Sequence, residues 1–272
     1  MRRMIIFASI GLLSLVIGIG LAYTLYKQWV YRNAEPVSFP EISLSPDSYP
    51  QAIVWEMIGK VDKDRALVDL RRLTGAEPVC IHSECYSIKN RLTGSEGLRW
   101  AKDYVYEILT DLGYSVERQN WTFPGYADQN IIASKPGGLH PEESIYFVAH
   151  LDGKPFTPGA DDNASGVVAL LELARVFSGY SLNRTVVLLF TTGEEQAAFG
   201  IRRYLDQLSP TELGAIRYAV NVDMIGYDGN RDGIMELWHG GHPPSQALTQ
   251  MMGEIILAYQ LDLKPGFVVG CG

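Results

Sequence analysis

Two carboxylates stand side by side at Glu194 and Glu195, one glycine after a stretch at residues 184–192 that reads as a buried strand. Adjacent carboxylates at the end of a buried strand are costly to desolvate unless positive charge compensates them. A metal ion is the compact way to supply that charge. Two other apolar runs end in polar groups in the same manner, residues 144–149 in His150 and residues 218–222 in Asp223. The loop at residues 158–166 adds Asp161 and Asp162. One histidine with several carboxylates is a ligand set suited to zinc or a similar divalent ion. Asp152 follows His150 by two residues, where it can accept the other imidazole N–H and orient the ring.

The elements around these residues must place them together. Residues 114–123 alternate as a strand does, and residues 131–134, 144–149, 185–190, 218–222 and 234–238 read as further strands. Residues 98–112, 167–177 and 246–260 carry apolar faces at helical spacing, and Gln196 reads as a helix start. Ser95 is placed to cap the helix that ends at Gly113. Residues 52–73 also show helical spacing. Strands alternating with helices predict an α/β fold, a mostly parallel central sheet sandwiched by helices. In such sheets ligands bind at the carboxyl ends of the strands, which is where His150, Glu194, Glu195 and Asp223 fall.

The bulk of the chain suits this reading. Its 272 residues are 47% hydrophobic, enough for one large core. A net charge of −8 argues against a nucleic-acid partner, which calls for a basic face. Three cysteines are too few for a disulfide-built fold. Cys80 and Cys85 are close enough to pair, or they are two independent thiols. Residues 5–26 form an uncharged apolar run, flanked by Arg2, Arg3 and Lys27 and long enough to cross a bilayer. Residues 1–32 therefore read as a signal anchor, with Gly20-Leu21-Ala22 imitating a cleavage site. Residues 33–51 read as a linker and residues 52–272 as the catalytic domain. The expected location is membrane-anchored and extracytoplasmic, or secreted if the anchor is cleaved.

Four segments carry a family resemblance: Ala149-His150-Leu151-Asp152-Gly153, Gly159-Ala160-Asp161-Asp162-Asn163-Ala164-Ser165-Gly166, Thr192-Gly193-Glu194-Glu195 and Asn221-Val222-Asp223-Met224. They resemble the metal-site motifs of the zinc exopeptidase family of bacterial leucyl aminopeptidases, carboxypeptidase Q and glutamate carboxypeptidase. The turn at residues 91–97 is similar to that family too. The resemblance implies two zinc ions per chain and peptide substrates. Asp162 would bridge both ions, His150 and Asp223 would complete one site, and Glu195 would serve the other. Glu194 would be the general base, taking a proton from a hydroxide-forming water between the ions and passing it to the leaving amine. The peptide after Asp162 would be cis.

The family's last ligand is a histidine that would follow residue 272. The second site is therefore incomplete as written, and the chain reads as lacking its C-terminal end. His239 and His242 lie past a strand and are given a loop role rather than a replacement metal site. Asp161 is given a capping role. Trp121, Phe123 and Tyr126 are read as packing. The expected activity is that of an aminopeptidase. A carboxypeptidase or dipeptidase of the same family is the first alternative, and a metal-free receptor or scaffold relative the second. The acidic loop fits a dinuclear centre better than a single-zinc glutaminyl cyclase.

Overall fold

The structure is a computed structural model that describes residues 51–270. The apolar run and the linker up to residue 50 lie outside these residues, as does Cys271. Among the described residues no helix is long and apolar enough to cross a membrane. The described residues form two compact units, one up to Asn230 and one from Arg231.

The first unit opens with α1 (Gln51–Gly59) and α2 (Lys63–Leu73). The sequence pattern runs unbroken through both, but Asp62 divides them: its extended backbone ends α1's path, and its side chain caps α2 by accepting from the Asp64 and Arg65 amides. A short hairpin, β1 (Val79–Ile81) and β2 (Glu84–Tyr86), carries the Cys80–Cys85 disulfide across its two strands. The helix α3 (Glu96–Asp111) starts at Ser95, whose side chain accepts from the Leu98 amide.

The central sheet has five strands: β3 (Ser115–Phe123), β4 (Tyr126–Lys135), β5 (His140–His150), β6 (Arg184–Thr191) and β7 (Ile216–Asn221). Their order is β3-β4-β6-β5-β7. The β6–β5 and β5–β7 pairs are parallel, whereas β3–β4 and β4–β6 are antiparallel. The sheet is thus mixed rather than mostly parallel. The cause is the tight Pro124-Gly125 turn, which returns the chain directly and leaves no room for a crossover helix. It also extends β4 well before residue 131, because hairpin pairing with β3 orders its polar first half.

Side chains of β6 divide between two layers. Val186, Leu188 and Phe190 face α3 and α4 (Gly166–Ser178), within a core that includes Leu98, Val105, Leu109, Val167, Leu170 and Leu171. Val187 and Leu189 face the other side, with Tyr146 and Tyr204 of α5 (Phe199–Gln207). A short α6 (Pro210–Ala215) leads into β7. The chain passes from β5 through α4 to β6 on one side, then through α5 and α6 to β7 on the other. The direction of winding therefore reverses at β5, and the carboxyl end of β5 is the switch point at which such sheets bind ligands.

The second unit is β8 (Ile234–His239), α7 (Pro243–Ala258) and β9 (Lys264–Val269), with the two strands parallel. Leu237, Ile256 and Tyr259 are its buried hydrophobic side chains, and Thr249 is buried too.

A buried ionic cluster ties α2 to α4. The Glu172 carboxylate accepts from Arg65 Nε and Nη2 at 2.8 Å each, from the Asp62 amide at 3.2 Å and from Arg175 at 2.6 Å. Burial pushes the Glu172 carboxyl up, but Arg65, the Asp62 amide and Arg175 outweigh it and hold the group below the ordinary value. A depressed carboxyl contributes stability above its unfolded pKa and loses it as pH falls through the folded value. Glu172→Gln is therefore expected to lower stability by about 1–3 kcal/mol at neutral pH. The deficit should narrow below about pH 4, near the ordinary carboxyl range. Thermal unfolding at neutral and acidic pH tests this, and a deficit independent of pH would contradict it.

Candidate metal centre

His150 is the last residue of β5 and is 3% exposed. Its Nε2 lies 3.1 Å from Asp162 Oδ1 and 3.6 Å from Asp223 Oδ1. One ligand atom from each of His150, Asp162 and Asp223 falls within 4.8 Å of the others, and the same holds for His150, Glu194 and Glu195. The five residues come from the ends of β5, β6 and β7 and from the loop before α4. Across the sheet the three strands lie in the order β6-β5-β7. That order places the two glutamates on one side of His150 and Asp223 on the other.

Asp152 binds two neighbours at once. His150 Nδ1 is 3.2 Å from the Asp152 carbonyl and 3.6 Å from its carboxylate. The carboxylate accepts from the Glu194 and Glu195 amides at 3.2 Å each. It is fully buried and so fixes the backbone of the glutamate pair relative to the imidazole. The turn behind that pair is anchored from the far side. Trp121 Nε1 donates to Thr192 Oγ1 at 2.8 Å, and the Thr192 amide donates to Asn130 Oδ1 at 3.0 Å. Gly193 has φ +75°, and a Cβ there would lie 2.6 Å from the Trp121 ring, so both conformation and space call for glycine. The two-alanine segment after the glutamates is left-handed, which delays α5 to Phe199 rather than Gln196.

The loop Ala160–Ser165 is kinked, with non-helical backbone at Asp162 and Asn163 and a cis peptide between them, as the resemblance implied. Its two aspartates have separate surroundings. Asp161 Oδ1 accepts from the Gly226 amide at 2.8 Å, while Asp162 faces His150. Asn163 is fully buried; its Nδ2 donates to the Val222 carbonyl at 2.9 Å and its Oδ1 accepts from the Gly166 amide at 3.0 Å. Asp161 and Asn163 thus clamp the Asp162 loop to the segment that carries Asp223.

Arg91 was not singled out by its sequence context, yet it organises the loops. It is 2% exposed, and its guanidinium donates to the carbonyls of Leu73, Leu151, Pro158 and Gly159, each at 2.8 Å. Burial pulls its pKa down to about 10, while Asp152 and Asp162 act in the opposite direction. The contacts join the strand end bearing His150 to the loop bearing Asp162. Lys154 was also missed. Its Nζ lies 2.8 Å from Asp162 Oδ2 and 3.1 Å from Glu195 Oε2.

The site is strongly anionic. Burial lowers the His150 imidazole, but Asp152, Asp162 and Asp223 outweigh it and raise the pKa to about 12. A cation that takes His150 as a ligand must therefore displace a proton. His150 holds the Asp162 carboxyl far below the usual range, with Lys154 assisting against burial. Burial pushes the Glu195 carboxyl up, and Lys154 offsets this in part. Glu195 Oε1 is buried without a hydrogen-bond partner. An orphaned carboxylate oxygen beside an imidazole and further carboxylates is the donor set a zinc ion fits.

Comparison with known proteins agrees with this geometry. Residues 130–264 match the family model of Peptidase family M28. Aminopeptidase YwaD of Bacillus subtilis (strain 168) is 36% identical over 105 residues, which is 38% of this chain and 23% of that protein. The chain thus spans about a quarter of that relative's length. Among solved structures, the zinc aminopeptidase BSAP from Bacillus subtilis superposes with a TM-score of 0.63 at 14% identity, covering 77% of this chain and 85% of that one. Macrostomum lignano glutaminyl cyclase superposes with a TM-score of 0.64 at 21% identity, covering 85% and 77%. At these identities the two structures speak for the fold alone. The matched segment contains His150, Asp152, Asp162, Glu194, Glu195 and Asp223, all gathered at one sheet edge, and that segment, residues 130–264, belongs to peptidase family M28.

Proposed function

We propose that this protein is a zinc-dependent aminopeptidase with two ions in its centre. His150, Asp223 and Asp162 would hold one, and Asp162 and Glu195 would face the other. The observation that carries the reading is the convergence of these side chains at the switch point of the sheet, with a buried, partnerless Glu195 oxygen among them. Bound zinc would supply an acidified water and a Lewis acid for the scissile carbonyl.

The chain's own residues supply the rest. Glu194 has a fixed backbone and an exposed carboxylate, so it can take a proton from the attacking water and deliver it to the leaving amine. Asp152 orients the His150 ring and the glutamate turn together. Arg91 keeps the two ligand-bearing loops in register. The substrate is a peptide with a free N-terminal amine. We also place the catalytic part outside the cytoplasm, anchored through residues 1–32, on the apolar run alone.

Removing metal tests the reading. The full-length protein should contain zinc and hydrolyse aminoacyl arylamides, a chelator should abolish the hydrolysis, and added zinc should restore it. Ammonia release from N-terminal glutaminyl peptides without hydrolysis would make it a cyclase. Absence of zinc binding and of hydrolysis would make it a scaffold.

A further inference from the structure

Lys154 sits on the loop four residues beyond His150, with its side chain 58% exposed. Its ammonium bridges Asp162 Oδ2, at 2.8 Å, and Glu195 Oε2, at 3.1 Å. Asp162 therefore addresses two positions. Its Oδ1 is 3.1 Å from His150 Nε2, on the side of Asp223, and its Oδ2 points to the side of Glu195. The first position has the His150 imidazole and two carboxylates around it, and no lysine bridges those carboxylates. The second already holds a cation, the lysine itself.

We propose that Lys154 is a built-in competitor for the second metal position, so that the two ions bind in order and with unequal affinity. This rests on the two-ion reading of the centre. Zinc sits about 2.0–2.2 Å from carboxylate oxygens. An ammonium bound to the same two oxygens would stand against it as a like charge, and protonated lysine offers no lone pair to coordinate. The two occupants exclude each other. The lysine stem is flexible and its head is a compact point charge. Because the side chain reaches in from solvent, it can leave without disturbing the core. The first ion, at His150, Asp162 and Asp223, displaces no lysine. The second must expel Lys154. The centre would then fill completely only above a threshold of free zinc, and Lys154 would set that threshold.

A partly exposed ammonium beside carboxylates could also be an ordinary surface ion pair of little consequence. Stepwise metal binding separates the two. Zinc is added to the metal-stripped full-length protein against a competing chromophoric chelator, and cobalt is added in parallel so that the ligand-field spectrum of each equivalent is followed. Wild type should show two steps of distinct affinity. K154M should tighten the second step by about 10- to 100-fold, the range over which groups behind a ligand tune metal sites, and the first step far less. K154Q should behave like K154M, and K154R should keep the wild-type separation. An unchanged second step in both neutral variants would overturn the proposal, as would equal tightening of both steps, which is the signature of general electrostatics. Two equal steps in wild type would overturn it while leaving the two-ion centre intact. A single equivalent in every form would overturn the two-ion centre with it. Matching thermal midpoints of the metal-free forms establish that the variants are folded.

Discussion

Glu194→Gln should retain its full complement of zinc and lower kcat on an aminoacyl arylamide by about 100- to 10,000-fold, the usual contribution of a positioned acid–base group. The substitution keeps shape and removes only the capacity to hold a proton. The Glu194 amide donates to Asp152 Oδ1, so the backbone stays fixed in the variant. The side chain lies at the exposed end of the turn, whereas Glu195 keeps one oxygen buried and without a partner. That contrast supports the proposed division, proton transfer by Glu194 and ligation by Glu195. The competing assignment is real, because a carboxylate oxygen of Glu194 also lies within 4.8 Å of ligand atoms of His150 and Glu195. Zinc content decides. If Glu194→Gln loses an ion, the residue is a ligand; if it keeps both ions and turns over at a near-normal rate, the base is elsewhere. A fall in kcat with little change in KM is the pattern expected when an interaction made only in the transition state is removed.

The parts of this site that the sequence disclosed share one property: their signal is local. His150, Glu194, Glu195 and Asp223 each follow an apolar run, and a polar group at the end of such a run stands out without knowledge of anything else. The hairpin of β3 and β4 was visible as two strands, but alternation reports a strand and not its direction, so the mixed sheet was read as mostly parallel. Asp161 and Asp162 are adjacent and chemically identical. Only the resemblance chose between them, and the structure separates them by giving Asp161 to the Gly226 amide and Asp162 to His150.

The residues that escaped notice depend on distant partners. Arg91 gains its meaning from carbonyls 60 to 68 residues away. Lys154 gains its meaning from a glutamate on the next strand. A lone Arg in a turn and a lone Lys in a loop look like solvated charges until the fold brings those partners in. Asn163 shows the same dependence, since its buried amide matters through the carbonyl of Val222.

Asp162→Ala should empty both metal positions, whereas Glu195→Ala should empty one. The expectation follows from the way one carboxylate is divided. Asp162 Oδ1 faces His150 and Oδ2 faces the Glu195 side, so a single truncation removes a donor from each position. Without it the first position is left with His150 and Asp223 and the second with Glu195. Neither remnant reaches the three protein ligands usual for catalytic zinc. The loss of affinity should therefore exceed the about 10- to 100-fold that follows loss of a group behind a ligand. Activity should fall with it. The metal-free fold should survive, because Asp161 and Asn163, not Asp162, make the hydrogen bonds that hold the loop to the segment after β7. What the metal-free variant loses is the pairing of Asp162 with His150 and with the partly exposed Lys154. Metal analysis after dialysis, set beside thermal unfolding of the stripped proteins, reads both effects. Unchanged zinc in Asp162→Ala, or loss of one ion only, would show that the two positions do not share this residue. A stripped variant much less stable than stripped wild type would show that Asp162 serves the fold before it serves the metal.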